Sequence, residues 1–301
     1  MQNHAYIERL VNLLDPAGNT IFNMSVDEAV EQVGSGDAHK VRGIDGQFAL
    51  LHREGKRIRM ARSIGRPMRY FLAKQVDGPC LIVAERIDEI AAWLKQEGFE
   101  DQFHPSYTRM VPAHHILELS LVGCPDPNPT LTRYFDPARN CQSTDLNEIG
   151  KAYIGALADE CSKWLDGINS IDAQAPIGVM FSGGVDSGAL FLTLYHLMRK
   201  RGENLSRLKA FTLSATDAGS NEQLSPDAQQ AAGFLDEVDL SMFLEVVDVP
   251  KSSLDYVEAI RITEDYKPLD IQSATMGIAL CREIRNRYPD WKFLADGDGG
   301  D

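Results

Sequence analysis

A ten-residue stretch at 179–188, VMFSGGVDSG, restricts the fold of this chain more than any other part of the sequence. The apolar run at 177–181 predicts a short buried strand, and apolar residues at helical spacing after position 189 predict a helix. A Ser-Gly-Gly turn joins the two. Glycines let the backbone approach phosphate oxygens, and the first amides of the helix point at them with the helix dipole behind. The stretch therefore predicts a phosphate-binding turn between a strand and a helix.

This turn differs from the two most familiar nucleotide-binding loops, because it contains neither Gly-Lys-Ser/Thr nor G-x-G-x-x-G. Asp186 falls at the helix start, where a carboxylate cannot itself hold an anion. Magnesium-phosphate sites, however, commonly use one or two carboxylates. We therefore expect Asp186 to bind Mg²⁺ beside the phosphates. The residues expected to form the phosphate site, with Asp186 acting through the metal, are Ser182, Gly183, Gly184, Val185, Asp186 and Ser187.

Strand patterns alternate with helix patterns through the rest of this half of the chain. Strands are expected at 208–214, 242–249 and 291–295, with helical segments between them. Such alternation favours a parallel sheet with helices on both faces, whose ligands bind at the carboxyl ends of the strands. A helix is also expected from position 145, with an apolar stripe running from Ile149 to Ile168 that should face the core.

A second motif, DGDGGD at 296–301, follows the last of these strands. Ser-Gly-Gly-Val-Asp-Ser resembles the pyrophosphate loop of the ATP-pyrophosphatase superfamily, whose members split ATP between the α and β phosphates. The 296–301 motif resembles the S-G-D/E-G-x-D-E segment of asparagine synthetases and β-lactam synthetases. This resemblance implies that Asp301 shares one Mg²⁺–pyrophosphate unit with Asp186, and that Gly297 and Gly299 permit close approach of the nucleotide.

The amino-terminal half contains several segments that resemble the same family more weakly. The segments that resemble its glutaminase domain are DGQFAL at 45–50, ARSIGRPMRY at 61–70, IVAE at 82–85, VPAHH at 111–115 and YFDP at 134–137. In that family a cysteine at the mature amino terminus is the nucleophile. Here Gln2 follows Met1, and the first cysteine is Cys80. We therefore expect a degenerate glutaminase-like domain that does not hydrolyse glutamine.

The resemblance also implies a set of further site residues. Val179 and Ser214, by their positions on the first two strands, would border the adenosine of ATP. Glu264 and Asp265 lie where the family carries an acidic residue near the acceptor site, and one of them could take a proton from the attacking amine. Lys267 is a further candidate for phosphate. Because the chain stops inside a family motif, we also expect its synthetase domain to be incomplete.

Composition limits the partners. The net charge of −14 opposes nucleic-acid binding, since phosphate backbones attract lysine and arginine. No apolar run is long enough to span a membrane, and the amino terminus does not resemble a secretory signal. Five scattered cysteines without a CxxC pair favour a reducing, cytoplasmic setting. We expect small-molecule carboxylate and amine or ammonia substrates, ATP and Mg²⁺; homo-oligomer and partner subunit both stay open.

These observations predict three regions. Residues 1–120 would form a degenerate glutaminase-like α+β domain with an Ntn-like fold, 121–144 a linker, and 145–301 an α/β pyrophosphate-loop synthetase domain, similar to adenine nucleotide α-hydrolases. The expected activity is adenylation of a carboxylate followed by amide formation. Three alternatives remain: an asparagine synthetase fed by external ammonia, a sulfur-transferring or nucleoside-modifying enzyme, and a non-catalytic nucleotide-binding subunit.

Overall fold

The structure is a computed structural model that describes residues 9–75, 78–121, 128–216, 224–265 and 267–297. The chain divides into two compact units, Met1–Asn140 and Cys141–Asp301.

The described part of the amino-terminal unit contains ten strands and three helices. In chain order these are β1 (Arg9–Asn12), β2 (Thr20–Ile21), α1 (Val26–Ser35), α2 (Ala38–Arg42), β3 (Gly46–Gln47), β4 (Ala49–Glu54), β5 (Arg57–Arg62), β6 (Arg69–Gln75), β7 (Gly78–Ala84), α3 (Ile87–Gln96), β8 (Arg109–Met110), β9 (His115–Ser120) and β10 (Thr130–Arg133). One sheet has the order β1-β7-β6-β8, a second the order β10-β9-β5-β4, and β2 pairs with β3.

Three apolar clusters hold this unit in four layers, helix on sheet on sheet on helix. The cluster between the sheets includes Met60 and Leu81. A second cluster, with Val33 and Leu50, joins α1 and α2 to the sheet that contains β4. A third, with Ile82, joins α3 to the sheet that contains β7. Each sheet therefore buries both faces, and the mixture of sheets and helices agrees with the α+β class that the sequence predicts. The Ntn-like fold itself stays a prediction.

Two local predictions can be compared directly with this unit. The runs at 48–52 and 57–61, on either side of Glu54-Gly55-Lys56, predict a hairpin. It is present as β4 and β5, paired antiparallel about Gly55, whose φ of +59° suits the tight turn. The stretch expected to be a linker differs, because β10 lies within it. This strand pairs antiparallel with β9, and all four of its residues are exposed. An exposed strand at the edge of a sheet need not alternate apolar and polar residues. The sequence of β10 therefore does not indicate a strand.

The described part of the carboxy-terminal unit contains four strands and five helices. In chain order these are α4 (Leu146–Ile171), β11 (Ile177–Met180), α5 (Val185–Arg201), β12 (Leu208–Thr216), α6 (Pro226–Glu237), β13 (Leu244–Pro250), α7 (Tyr256–Thr263), α8 (Pro268–Arg287) and β14 (Phe293–Asp296). The strands form one sheet in the order β13-β12-β11-β14, and every pair in it is parallel.

Helices cover both faces of this sheet. Residues of α4, α5 and α6 pack on one face around Val179 and Phe191. Residues of α8 pack on the other face around Phe211 and Val247. The predicted α/β class, a parallel sheet with helices on both faces, is confirmed. The carboxyl ends of β11, β12 and β14 therefore meet at one edge, where β11 leads into α5.

The prediction for α4 is wrong over its first three turns. Cys161, Leu165 and Ile168 are buried against the sheet, as expected. Leu146, Ile149 and the other residues up to position 156 are exposed. A helix of 26 residues is about 39 Å long, which exceeds the length of the strands beneath it. The apolar stripe therefore continues beyond the core that its second half covers.

No helix among the described residues has the length and apolar character needed to cross a membrane.

Candidate active site

The turn between β11 and α5 has the conformation that its glycines predict. The Phe181 amide donates a hydrogen bond to the Phe211 carbonyl at 2.8 Å, which extends the β11–β12 pairing one residue into the turn. Gly183 then takes a φ of +76°, a left-handed conformation that residues with a Cβ rarely adopt. The Ser182 hydroxyl accepts a hydrogen bond from the Gly184 amide at 3.2 Å and lies 3.2 Å from the Ser187 hydroxyl.

Two glycines allow neighbouring elements to come close to this turn. A Cβ built on Gly183 would lie 2.7 Å from the Ala231 amide nitrogen in α6. A Cβ built on Gly297, just after β14, would lie 2.8 Å from the Ser187 amide nitrogen. The turn is therefore held between α6 and the end of β14, with no space for side chains at either position.

The start of α5 is open to a ligand. Gly184 is the residue that precedes the helix, and it provides no side-chain cap for the first amides. A helix of 17 residues also presents its dipole at this end. Asp186 lies in the first turn, half-buried. Uncapped amides beside a glycine turn form a suitable site for an oxyanion.

A cleft of about 830 Å³ lies over this edge of the sheet. The turn and the start of α5 line one part of it, and Asp296 and Gly297 border the same part. A second part is mostly uncharged. Its lining includes Met180, Thr212, Leu213, Met276, Gly277 and Leu280. The volume lies within the range of small-molecule sites, which combine apolar walls with a few polar groups.

Every charged side chain that the structure shows lining the cleft is a carboxylate: Asp186, Asp227, Asp270 and Asp296. Lys267 precedes α8, and its Nζ lies 3.3 Å from Asp265 and 3.4 Å from the cleft residue Asp270. These carboxylates raise the pKa of the Lys267 ammonium, which is otherwise solvated. An unneutralised polyphosphate would therefore meet net repulsion here.

This donor set fits a magnesium ion. Mg²⁺ prefers oxygen ligands and often binds through one or two carboxylates together with phosphate oxygens. Asp186, and Asp296 on the adjacent strand, supply such oxygens on either side of the turn. No group of three or more His, Cys, Asp or Glu side chains positioned to hold a metal occurs within the described ranges. The carboxylates present therefore suit a site completed by phosphate.

The structure places the predicted residues unevenly around the cleft. Ser182, Gly184, Asp186 and Ser187 line it. Gly183 lies beneath it against α6, and Gly297 borders it. Val185 projects from the turn with 81% of its surface exposed. Gly299 and Asp301 lie outside the described residues, so their roles stay predictions.

Val179 and Ser214 are buried within the fold. Val179 belongs to the apolar core on the α5 face, with no exposed surface. The Ser214 hydroxyl accepts a hydrogen bond from the Ser225 amide at 3.2 Å, at the start of α6. Neither residue is among those that line the cleft. The expectation that they border the adenosine stays a prediction.

The three predicted acceptor-site residues lie at the junction of α7 and α8. Glu264 ends α7 with a φ of +54°. The Lys267 amide donates to the Asp265 carboxylate at 3.1 Å, just before α8. The cleft is lined instead by their neighbours Thr263 and Asp270. The catalytic roles of Glu264, Asp265 and Lys267 stay predictions.

Sequence reasoning missed Thr212, Asp227 and Ser273, which the fold brings to the cleft, and it assigned no role to Asp270. Asp227 and Asp270 each occupy the first turn of a helix, where an acidic residue is expected for the dipole alone. Thr212 lies in a sequence that is typical of an ordinary strand. Their place in the cleft becomes visible only in the folded structure, where α6 and α8 lie over the edge of the sheet.

Comparisons with known proteins bear on the same region. Residues 169–301 match the family model of asparagine synthase. No curated protein matches the chain. Among solved structures, the chain is similar to the NH3-dependent NAD synthetase of Campylobacter jejuni subsp. jejuni NCTC 11168 in complex with the nitrate ion, at 12% identity and a TM-score of 0.30. That match covers 47% of this chain and 55% of the synthetase, so this chain spans about half of its length. The carboxy-terminal unit contains, at residues 169–301, a domain of the asparagine synthase family.

Proposed function

We propose that this protein is an ATP-dependent synthetase that adenylates a substrate carboxylate and then forms an amide. The observation that carries the proposal is the turn at 182–187, which includes Asp186 and opens onto the cleft with uncapped helix amides, with Asp296 in the same lining. The match of residues 169–301 to the asparagine synthase family supports it.

In the first step, an oxygen of the substrate carboxylate attacks the α-phosphorus of ATP. The bond between the α-phosphorus and the bridging oxygen breaks, and pyrophosphate leaves. The amides at the start of α5, with the hydroxyls of Ser182 and Ser187, would hold this pyrophosphate in place. Positioning of this kind accounts for most catalysis in phosphoryl transfer.

The carboxylates of the cleft account for the expected magnesium requirement. When bound, Mg²⁺ would neutralise part of the charge that accumulates on the leaving pyrophosphate. Asp186 is the described residue that we propose to hold it, and Asp301 is the second ligand that the family resemblance implies. Asp296 is the further carboxylate within reach of the same edge, on the strand adjacent to β11.

In the second step, an amine or ammonia attacks the acyl carbon of the adenylate, and AMP leaves. The amine must lose a proton, so a carboxylate near the acceptor is needed. Glu264 and Asp265 are the predicted candidates, and Asp270 lies at the same end of the cleft and lines it directly. Substitution of each carboxylate by its amide would identify the base through a selective loss of amide formation with adenylation retained.

We further propose that the amino-terminal unit does not supply ammonia from glutamine. Cys80 is the cysteine of this unit that the structure describes, and it has no exposed surface. Burial raises the pKa of its thiol to about 11, so it is neutral at physiological pH. A buried neutral thiol is a poor nucleophile. Release of glutamate from glutamine by the purified protein would contradict this part of the proposal.

The proposal is tested by ATP–pyrophosphate exchange with Mg²⁺ across a panel of amino acids and carboxylated peptides. Exchange that depends on one carboxylate, with AMP rather than ADP as the product, would support adenylation and name the substrate class. Ammonium added to the reactions then distinguishes an ammonia-fed enzyme from one that uses a substrate amine. Nucleotide binding without exchange for any carboxylate would contradict the enzymatic function.

A further inference from the structure

The first half of α8, residues 268–278, forms a wall of the cleft and is fixed to the sheet mainly from its far end. The side chains that it contributes to the cleft include Leu269, Asp270, Ser273 and Ala274. No residue in this half is buried, whereas the second half buries Ala279, Leu280 and Ile284 against the sheet. Helix α7 packs along α8 and buries Ala259. The position of this wall therefore depends on how the second half of α8 is fixed.

Glu245 joins the carboxyl end of α8 to two strands. It lies in β13, and its carboxylate accepts hydrogen bonds from Lys209 of β12 and from the Tyr288 hydroxyl, just after α8, each at 2.6 Å. Arg287, in the last turn of α8, lies 3.6 Å from the same carboxylate. The Glu245 side chain is 17% exposed. One mostly buried carboxylate therefore links three elements.

The surroundings of Glu245 favour charged, directional contacts. Lys209 and Glu245 lie on the α8 face of the sheet, since Phe211 and Val247, two positions further along each strand, belong to the core beneath α8. Burial on its own would lower the pKa of Lys209 and raise that of Glu245. Their hydrogen bonds, together with those of Tyr288, outweigh burial, so the pKa of Lys209 is raised and that of Glu245 is lowered. Both groups are therefore charged at neutral pH, and hydrogen bonds between charged groups are short and strong.

The angle of α8 on the sheet determines where its first half lies. Apolar contacts such as those of Ile284 hold the helix against the sheet but are non-directional. The hydrogen bonds to Glu245 are directional, so they fix the angle. Asp270 and Ile284 lie about 21 Å apart along the helix, and a tilt of about 3° at Ile284 would move Asp270 by about 1 Å. A displacement of about 1 Å in a reacting group can lower a rate by about 100-fold.

We propose that Glu245 is a positioning residue for the synthetase reaction, because it fixes the angle of α8 and so sets the width of the cleft between residues 268–278 and the turn at 182–187. This inference rests on the proposed function, which assigns pyrophosphate to the turn and the acceptor to the α8 end of the cleft. Glu245 is not among the residues that line the cleft. Its effect should therefore fall on substrates that contact α8 and not on pyrophosphate, which is held at the start of α5.

Glu203 provides a matched control, because its carboxylate is similarly buried and holds other elements. Its side chain is 14% exposed, and its partners within 3.5 Å are Asn169 of α4, Arg201 of α5 and Arg207, just before β12. None of these three partners belongs to α8. Glu203→Gln and Glu245→Gln therefore remove comparable charges from the same unit, but only Glu245→Gln alters a contact of α8.

Amide hydrogen exchange, followed by mass spectrometry, measures the effect on α8 in the free protein. Glu245→Gln should speed exchange across residues 268–278 by at least about threefold, while the amides of α5 keep their rates. Tyr288→Phe removes one hydrogen bond and keeps the ring, so it should give a smaller change in the same segment. Glu203→Gln should leave the exchange of 268–278 unchanged.

Kinetics test the positioning role itself. With the carboxylate substrate that supports ATP–pyrophosphate exchange, Glu245→Gln should raise KM and lower kcat for amide formation, each by about three- to tenfold. The dissociation constant of Mg-pyrophosphate should stay within about twofold of the wild-type value. Glu203→Gln should keep all three wild-type values, even though its Tm falls by a similar amount.

Wild-type kinetics in Glu245→Gln, or equal kinetic losses in Glu203→Gln, would overturn the inference, since the Glu245 carboxylate would then serve stability alone. An equal loss of Mg-pyrophosphate affinity in Glu245→Gln would also overturn it, because the effect would not be confined to the α8 side of the cleft. Absence of both Mg-pyrophosphate binding and ATP–pyrophosphate exchange in the wild-type protein would instead overturn the proposed function, and the positioning role with it.

Discussion

Gly183 is the residue at which the backbone of the turn and the packing of the carboxy-terminal unit depend on each other. Its φ of +76° is left-handed, and α6 occupies the position where a side chain would lie. Gly202, at the other end of α5, has a φ of +69° and no atom within 4 Å of a built Cβ. Both glycines therefore have a left-handed backbone that disfavours other residues. They differ in the room for a side chain, which is absent at Gly183 and present at Gly202.

This pair gives the first prediction. Gly202→Ala should destabilise the unit by about 1–2 kcal/mol, the conformational term alone. Gly183→Ala should add roughly another 1–3 kcal/mol, because the methyl group meets the backbone of α6. Chemical denaturation of both variants would measure the difference. Equal losses would show that α6 moves aside without strain, contrary to the packing described here.

Asp186 and Asp227 form a second matched pair, because both carboxylates line the cleft but only Asp186 lies in the turn. Asp186→Asn should reduce the affinity for Mg-ATP by at least about tenfold, since a charge-assisted ligand of the metal is lost. Asp227→Asn removes the same charge from the cleft and should keep the dependence of binding on Mg²⁺. Titrations of ATP with Mg²⁺ and with a chelator would measure both. Equal effects would mean that the carboxylates act only through the general field.

At the scale of elements, the alternation of strand and helix predicted the parallel sheet correctly, because buried strands and amphipathic helices have distinct periods. The turn between β11 and α5 was predictable for the same reason, since its glycines and the flanking periods are local features. The residues that form the wall of the cleft could not be predicted in this way. Asp270 and Ser273 become site residues only through the way α8 packs over the sheet, and no local pattern encodes that packing.

Helix α4 shows that the apolar periodicity of one helix does not reveal how much of its length is buried. Its stripe keeps helical spacing along the whole length, yet only the second half reaches the core. Leu165→Ala should therefore destabilise the carboxy-terminal unit by about 2–5 kcal/mol, whereas Leu146→Ala, at a residue 82% exposed, should change it by less than about 0.5 kcal/mol. Urea denaturation would measure both. A large loss in Leu146→Ala would show that the first turns of α4 are covered in solution.

At the scale of the whole molecule, buried acidic groups in both units predict how stability depends on pH. Burial raises the pKa of Cys80 and Cys161 from 9.0 to about 11, and raises that of Tyr134 to about 12. For the two thiols, this stabilisation is complete below pH 9.0 and is lost as the pH rises towards 11. Each thiol then lowers the free energy of unfolding by up to about 1.4 kcal/mol per pH unit.

Denaturation midpoints measured between about pH 8 and pH 10.5 would show this alkaline slope. The Cys80→Ala, Cys161→Ala double variant should be less stable at every pH, because it leaves cavities, but its slope should be shallower. Cys141→Ser alters an exposed residue and should keep the wild-type slope. Parallel slopes in all three proteins would show that the two thiols are not buried as described.

The molecule carries a net charge of −14, and its described cleft residues add carboxylates where a polyphosphate is expected. The proposed activity requires that the turn at 182–187 holds pyrophosphate through Mg²⁺. Calorimetric titration of pyrophosphate into the wild-type protein, with Mg²⁺ and with a chelator, tests this point most directly. We expect saturable binding at one site, and we expect this binding to require Mg²⁺. Binding of equal strength without Mg²⁺, or no saturable binding under either condition, would contradict it.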